Sequence, residues 1–214
     1  MKVKLIIPTS LNEITLGQYQ EFSKLDITKE AEVQSKMIEI FCKVPVEVVR
    51  SMKAKDITDI CTIINNMFDV EHQMLNRFDL NGVKYGFIPD LENISFGEYV
   101  DLDTFMGDND NLHRAMNVLY RPIDLKQGVR YTLKEYDPDT NEDAKNYPLD
   151  AVFGAMVFFY DLGKDLSTVI LNSSSKQNEQ NLAQYLDSLQ NGDGITQSMQ
   201  SLTEILQDLK ISLN

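Results

Sequence analysis

Arg77-Phe-Asp-Leu-Asn-Gly-Val-Lys-Tyr-Gly-Phe-Ile-Pro89 decides the fold class. Apolar and polar residues alternate on both sides of Asn81-Gly82, and a strand points successive side chains to opposite faces. Asn-Gly tolerates positive φ at both central positions of a type I′ turn, so this stretch is predicted to be a β-hairpin closed by Pro89. Upstream the apolar spacing is helical: Ala31–Lys43 ended by Pro45, then Val46–Met52, then Asp56–Asp69. The last of these is predicted to open on an Asp56 cap before Ile57, Ile60, Ile63, Ile64 and Met67. Lys2–Ile7 alternates before Pro8 and reads as a short strand. A central hairpin among helices makes the chain mainly α with small β elements, an α+β protein.

The hairpin is flanked by two similar segments. Leu11-Asn-Glu-Ile-Thr-Leu-Gly-Gln-Tyr-Gln-Glu-Phe22 lines up with Leu91-Glu-Asn-Ile-Ser-Phe-Gly-Glu-Tyr-Val-Asp-Leu102, eighty positions later. Thr15-x-x-Gln18 and Ser95-x-x-Glu98 are both capping boxes, in which the hydroxyl accepts the third residue's N–H and that residue's side chain reaches back. Leu16, Tyr19, Phe22 and Leu25 then follow close to one helical face. A further helix and a proline succeed each copy: Pro45 after the first, Pro122 after the second, with Leu112–Tyr120 between. We read an internally duplicated helical unit over 11–45 and 91–122. Two independently capped helices would also produce a match this short.

Gln127–Tyr136 alternates as a strand pair, and Asp137–Asn146 is a polar loop. Leu149–Leu162 is nearly apolar all round and is predicted to be the central buried helix, stopped by Gly163. Residues 1–171 therefore form the domain. The polar run 172–181 reads as a linker, and 182–214 as an amphipathic helical tail. In the tail, Leu182, Leu186 and Leu189 mark a short helix that Asn191-Gly-Asp-Gly194 breaks. Ile195, Met199, Leu202, Leu206 and Leu209 then recur at alternating spacings of four and three, a coiled-coil-type seam. A helix of about 18 residues with one narrow apolar stripe does not stand alone in water. These five residues are the candidate partner-binding set; their cover is their own domain, another chain or a self-associated bundle.

The bulk composition narrows the function. The chain has 214 residues, 43% of them hydrophobic, with ten Phe and nine Tyr, which supply material for a real core. A formal net charge of −13 opposes both the phosphate backbone of nucleic acids and anionic lipid, so general nucleic-acid binding is not expected. Met1–Pro8 has only three consecutive apolar residues, short of the apolar region of about 7–15 in a signal peptide. Ala151–Tyr160 is far below the ~20 residues that span a bilayer, so membrane insertion is not expected. Cys42 and Cys61 lie on apolar helical stretches and fit buried free thiols, a bridge between neighbouring helices being the alternative.

No motif specifies a reaction, a metal or a cofactor. Asp137-Pro-Asp-Thr-Asn-Glu-Asp143 has oxygen side chains where a calcium loop needs them, yet Glu142 replaces its glycine and Pro148 its closing glutamate. Asp101, Asp103, Asp108 and Asp110 lack the same two elements and read as a helix end and turn. Cys42, Cys61, His72 and His113 have none of the paired spacings of structural zinc sites. Gly163-Lys164 is not a phosphate loop, and no nucleophile elbow or dinucleotide fingerprint occurs.

The two Ile-Thr/Ser-x-Gly-Gln/Glu-Tyr copies, with Phe78–Leu91 between them, resemble small virion-associated proteins of crAss-like tailed phages of gut Bacteroidales. The resemblance covers about residues 10–125. It implies a particle component near the head–tail junction, in the tail barrel or carried as ejected cargo, with other virion proteins as partners, copies of itself in a symmetric assembly among them. The implied locations are the virion and, during assembly, the host cytoplasm. The expected protein is therefore a non-enzymatic structural one. The competing expectations are an assembly chaperone or scaffold that leaves the particle, and a small hydrolase.

Overall fold

Two backbone hydrogen bonds tie the start of the first helix to the start of the last. The Leu16 N–H donates to the Tyr147 carbonyl at 3.0 Å, and the Leu149 N–H to the Ile14 carbonyl at 2.9 Å. The structure, a computed structural model, describes residues 5–174 apart from 26–27, 92 and 128–129. After a 3₁₀ turn at Leu11–Glu13 come α1 (Leu16–Ser23), α2 (Glu30–Phe41), α3 (Val46–Arg50) and α4 (Ala54–Phe68). Strands β1 (Arg77–Leu80) and β2 (Val83–Phe87) precede α5 (Phe96–Phe105) and α6 (Leu112–Leu119). Strands β3 (Tyr120–Gln127) and β4 (Arg130–Leu133), a 3₁₀ run at Pro138–Asn146 and α7 (Leu149–Ser174) complete the order. The described residues are thus mixed helix and sheet, an α+β fold.

Local chemistry accounts for the clearest elements. Asn81 has φ 51° and Gly82 φ 81°, the left-handed pair that a two-residue hairpin demands. Both capping boxes form: Thr15 accepts the Gln18 N–H and Ser95 the Glu98 N–H, and each third residue reaches back to the cap amide. The sheet is antiparallel throughout, in the order β1-β2-β3-β4. One aromatic cluster seats it on the helices: Phe78 stacks on Tyr85, and both meet Tyr147 edge-on. The Tyr120 hydroxyl donates to the Leu75 carbonyl at 2.7 Å, satisfying a polar group buried in that cluster. The core centres on α7, where Ala151, Val152, Phe153, Ala155 and Met156 are fully buried. Gly154 lets the Gln73 backbone press on the helix, since a Cβ there would fall on the Gln73 carbonyl.

Several sequence expectations need correction. Leu5–Ile7 belongs to no strand. Lys53, not Asp56, is the N-cap of α4; Asp56 lies in the first turn, where its charge suits the helix dipole. The strand pair expected within Gln127–Tyr136 begins upstream at Tyr120, so that Pro122, beyond α6 as expected, sits inside β3. Pro122 pairs with Tyr85, and its carbonyl accepts the Lys134 N–H at 2.9 Å, just past the end of β4. The polar loop Asp137–Asn146 is a 3₁₀ run, and the Asp137 side chain accepts the Asp139 N–H at its start. Helix α7 passes through Gly163 and is described as far as Ser174, inside the stretch read as a linker. One glycine costs a helix about 1 kcal/mol, too little to stop one already anchored in the core. Residues 182–214 lie outside the described residues.

Candidate functional site

The two capped helices have the same beginning and opposite fates. In α1, Leu16 is fully buried and Tyr19 nearly so, with the Tyr19 ring edge-on to Phe153 at 5.3 Å. Gln20 is also buried: its amide donates to the Asn109 carbonyl at 2.7 Å and approaches His113 Nδ1 at 3.2 Å. In α5 the corresponding residues are Phe96, 81% exposed, Tyr99 and Val100, each about 40% exposed. Tyr19 and Tyr99, which the alignment of the two segments pairs, therefore sit in different settings. Phe96, Tyr99 and Val100 fall at i, i+3 and i+4, one helical face, and Asp103 extends it by a turn. Single exposed apolar residues are ordinary; three contiguous ones led by a phenylalanine make this face the candidate contact surface.

A strip of backbone covers α1. Besides the Leu16–Tyr147 bond, Gly17 lies so close to residue 145 that a Cβ would meet the Lys145 carbonyl at 3.1 Å. At Gly97 a Cβ would meet nothing within 4 Å. The sequence offered one hint of this surface, Val100 in the place of the buried amide Gln20. It could not show which copy is covered, because the cover comes from residues 145–153.

The surroundings of α5 are acidic. Between Lys84 and Arg114 the chain has Asp90, Glu92, Glu98, Asp101, Asp103, Asp108 and Asp110, and no Lys or Arg. Arg121 engages Glu98 at 2.9 Å and Lys24 engages Asp110 at 3.4 Å. Asp101 accepts the Tyr136 hydroxyl at 2.6 Å. No basic residue stands on α5 itself, but the Arg114 guanidinium lies over its Phe105 ring at 4.9 Å.

Two clefts lie elsewhere. One of about 590 Å³ is lined by Leu11, Met67, Leu75, His72 and Asp150 among others. Burial pushes the His72 imidazole below its usual range, opposed by a hydrogen bond to the Phe68 backbone. Burial likewise pushes the Asp150 carboxyl up. The hydroxyl of Ser10, which also lines that cleft, is directed to Asn12, at 2.5 Å, and to Glu13. The second cleft, about 320 Å³, mixes Arg121 and Lys134 with Asp137 and Asp143. Cys42 and Cys61 are free and buried. Burial, and then proximity to Cys61, pushes the Cys42 thiol up to about 11, which keeps it protonated and unreactive. Among the described residues no group of three or more His, Cys, Asp or Glu is arranged to hold a metal ion, and no helix is long and apolar enough to cross a membrane.

Comparison with known proteins returned no matching family model, curated protein or solved structure. The partner-binding set read from sequence, Ile195, Met199, Leu202, Leu206 and Leu209, lies outside the described residues. The surface that the structure adds is Phe96, Tyr99 and Val100.

Proposed function

We propose that this chain is a non-enzymatic structural protein of a tailed-bacteriophage particle, at the head–tail junction, in the tail barrel or as encapsidated cargo. One observation carries the protein-binding part: α5 presents Phe96, Tyr99 and Val100 outward, where its twin α1 buries the equivalent residues. The phage part rests on the resemblance of the two capped segments and the intervening hairpin to crAss-like virion proteins. Its partners are other virion proteins, and its tail stripe at 195–209 is a second contact element.

Mass spectrometry of washed particles tests the reading. The chain should be present at a fixed copy number per portal, and Phe96→Asp should lower that number while the variant still melts as a folded protein. Absence from washed particles would overturn the proposal in favour of a chaperone or scaffold that leaves during assembly.

A further inference from the structure

We infer that the α5 face receives a protein segment with apolar side chains set between Lys or Arg residues, laid across Gly97 as residues 145–147 are laid across Gly17. The inference rests on α5 being a contact surface and adds the chemistry of what binds there. Three observations identify the occupant.

The first is the template within the chain. On α1 the covering strip supplies backbone to Gly17 and a carbonyl to the Leu16 amide. The capping box, the glycine and the tyrosine recur in α5, and the space over Gly97 is open. A chain passing there could approach the helix as closely as Lys145 approaches α1. The second is the apolar content of the face. Phe96 exposes most of its ring and is flanked by Tyr99 and Val100, and aromatic anchors of this kind dominate binding energy when a partner covers them.

The third is charge. The helix lies within an acidic stretch of sequence and has no base of its own. The chain's own residues 175–214 contain Glu179, Asp187, Asp193, Glu204 and Asp208 against Lys176 and Lys210. They would add like charge to this face. A second copy would do the same, bringing one chain of formal charge −13 against another, and like-charge juxtaposition selects against a partner. A basic segment meets a chain of opposite net charge and an apolar centre.

The test uses the full chain and a fluorescein-labelled peptide of alternating Leu-Leu and Lys-Lys pairs, with a Leu/Glu peptide of the same pattern as control. Fluorescence anisotropy should show binding of the Leu/Lys peptide only, weakened as salt rises from about 0.05 to about 0.5 M. Phe96→Asp should weaken it by at least about tenfold, the loss expected of an interface anchor. That substitution adds negative charge, so attraction to the acidic surface in general would be unchanged or stronger. Gly97→Leu keeps the face apolar but fills the path over the helix, and should also weaken binding. Equal binding of the Leu/Glu peptide, or undiminished binding by Phe96→Asp, would overturn the inference. So would a dimer, seen by sedimentation, that dissociates in Phe96→Asp, or a tail variant (Leu202→Asp with Leu206→Asp) that binds the peptide far more tightly because its own tail had filled the face. The assay needs no particle: peptide binding by a chain absent from virions keeps this inference and overturns the phage reading alone.

Discussion

Glu98 and Arg121 form an ion pair at 2.9 Å in which both side chains are almost closed to solvent. Glu98 also accepts the Ser95 amide as part of its capping box. One carboxylate thus joins the beginning of α5 to the residues that follow α6. Gln18 does the same in the first copy: it accepts the Thr15 amide and donates to the Ile40 carbonyl near the end of α2. In each of the two capped segments the third helical residue ties to chain at or just past the end of the next helix, by charge in one and by a neutral amide in the other.

Arg121→Ala should therefore be severe. It leaves a carboxylate buried beside no cation, and breaking a buried pair from one side costs about 3–5 kcal/mol. Arg121→Met combined with Glu98→Gln removes both charges and keeps the box, as Gln18 shows, and should cost much less. Urea denaturation of the two variants checks this; equal losses would mean that the pair is not coupled.

The hairpin offers a test of backbone strain alone. Gly82 has φ 81° and open space around it, so Gly82→Val meets no steric obstacle beyond its own conformation. A β-branched residue in left-handed space should cost on the order of 1–2 kcal/mol. Thermal melting that shows no loss would mean that the turn is not held as described.

Two glycines in helices should respond in opposite directions. Gly154→Ala places a methyl on the Gln73 backbone carbonyl, and overpacking costs about 1–3 kcal/mol. Alanine's better helix propensity returns at most about 1 kcal/mol, so the variant should be destabilised. Gly97→Ala has room and should be neutral or stabilising. Denaturant midpoints of the pair decide between clash and propensity.

Acid should destabilise the protein through its histidines. Burial lowers both His72 and His113 from 6.5, and Lys145 pushes His113 down further against the opposing pull of Glu142. Glu142 approaches His113 at 3.4 Å but is largely exposed, so it offsets little of the burial. The unfolded chain then binds protons that the fold refuses. Stability is full above 6.5 and falls as pH drops through 6.5 towards the lower folded values. Asp150, raised by burial, works in the opposite sense. Melting temperatures between about pH 8 and 5 should fall towards acid, and His113→Gln should flatten the slope.

The tail stripe and the α5 face can be separated in the particle. Leu202→Asp with Leu206→Asp should leave the melting of residues 5–174 unchanged yet reduce the copy number in particles. Each apolar side chain that a partner covers is worth about 1.5–3 kcal/mol. Normal retention of this variant would leave α5 as the attachment surface.

What the residues determined by themselves is local. Asn81-Gly82 sets the hairpin because only a few dipeptides accept positive φ twice. Thr15-x-x-Gln18 and Ser95-x-x-Glu98 start their helices because each box satisfies amides within four residues of chain. The span of β3 was not legible: Tyr120–Pro122 pair with Tyr85–Phe87, a match between distant segments that no local pattern encodes. Nor was the passage of α7 through Gly163 legible, since one glycine costs a helix too little to stop it. The site was legible only as two similar helices. Both copies announce an apolar face, yet burial depends on what else reaches that face. The strip at 145–147 and Phe153 of α7 reach α1, whereas Phe96 and the open space over Gly97 are left at the surface. That choice belongs to the tertiary structure, because a helix defines its stripe by periodicity within itself while the cover must come from chain many residues away.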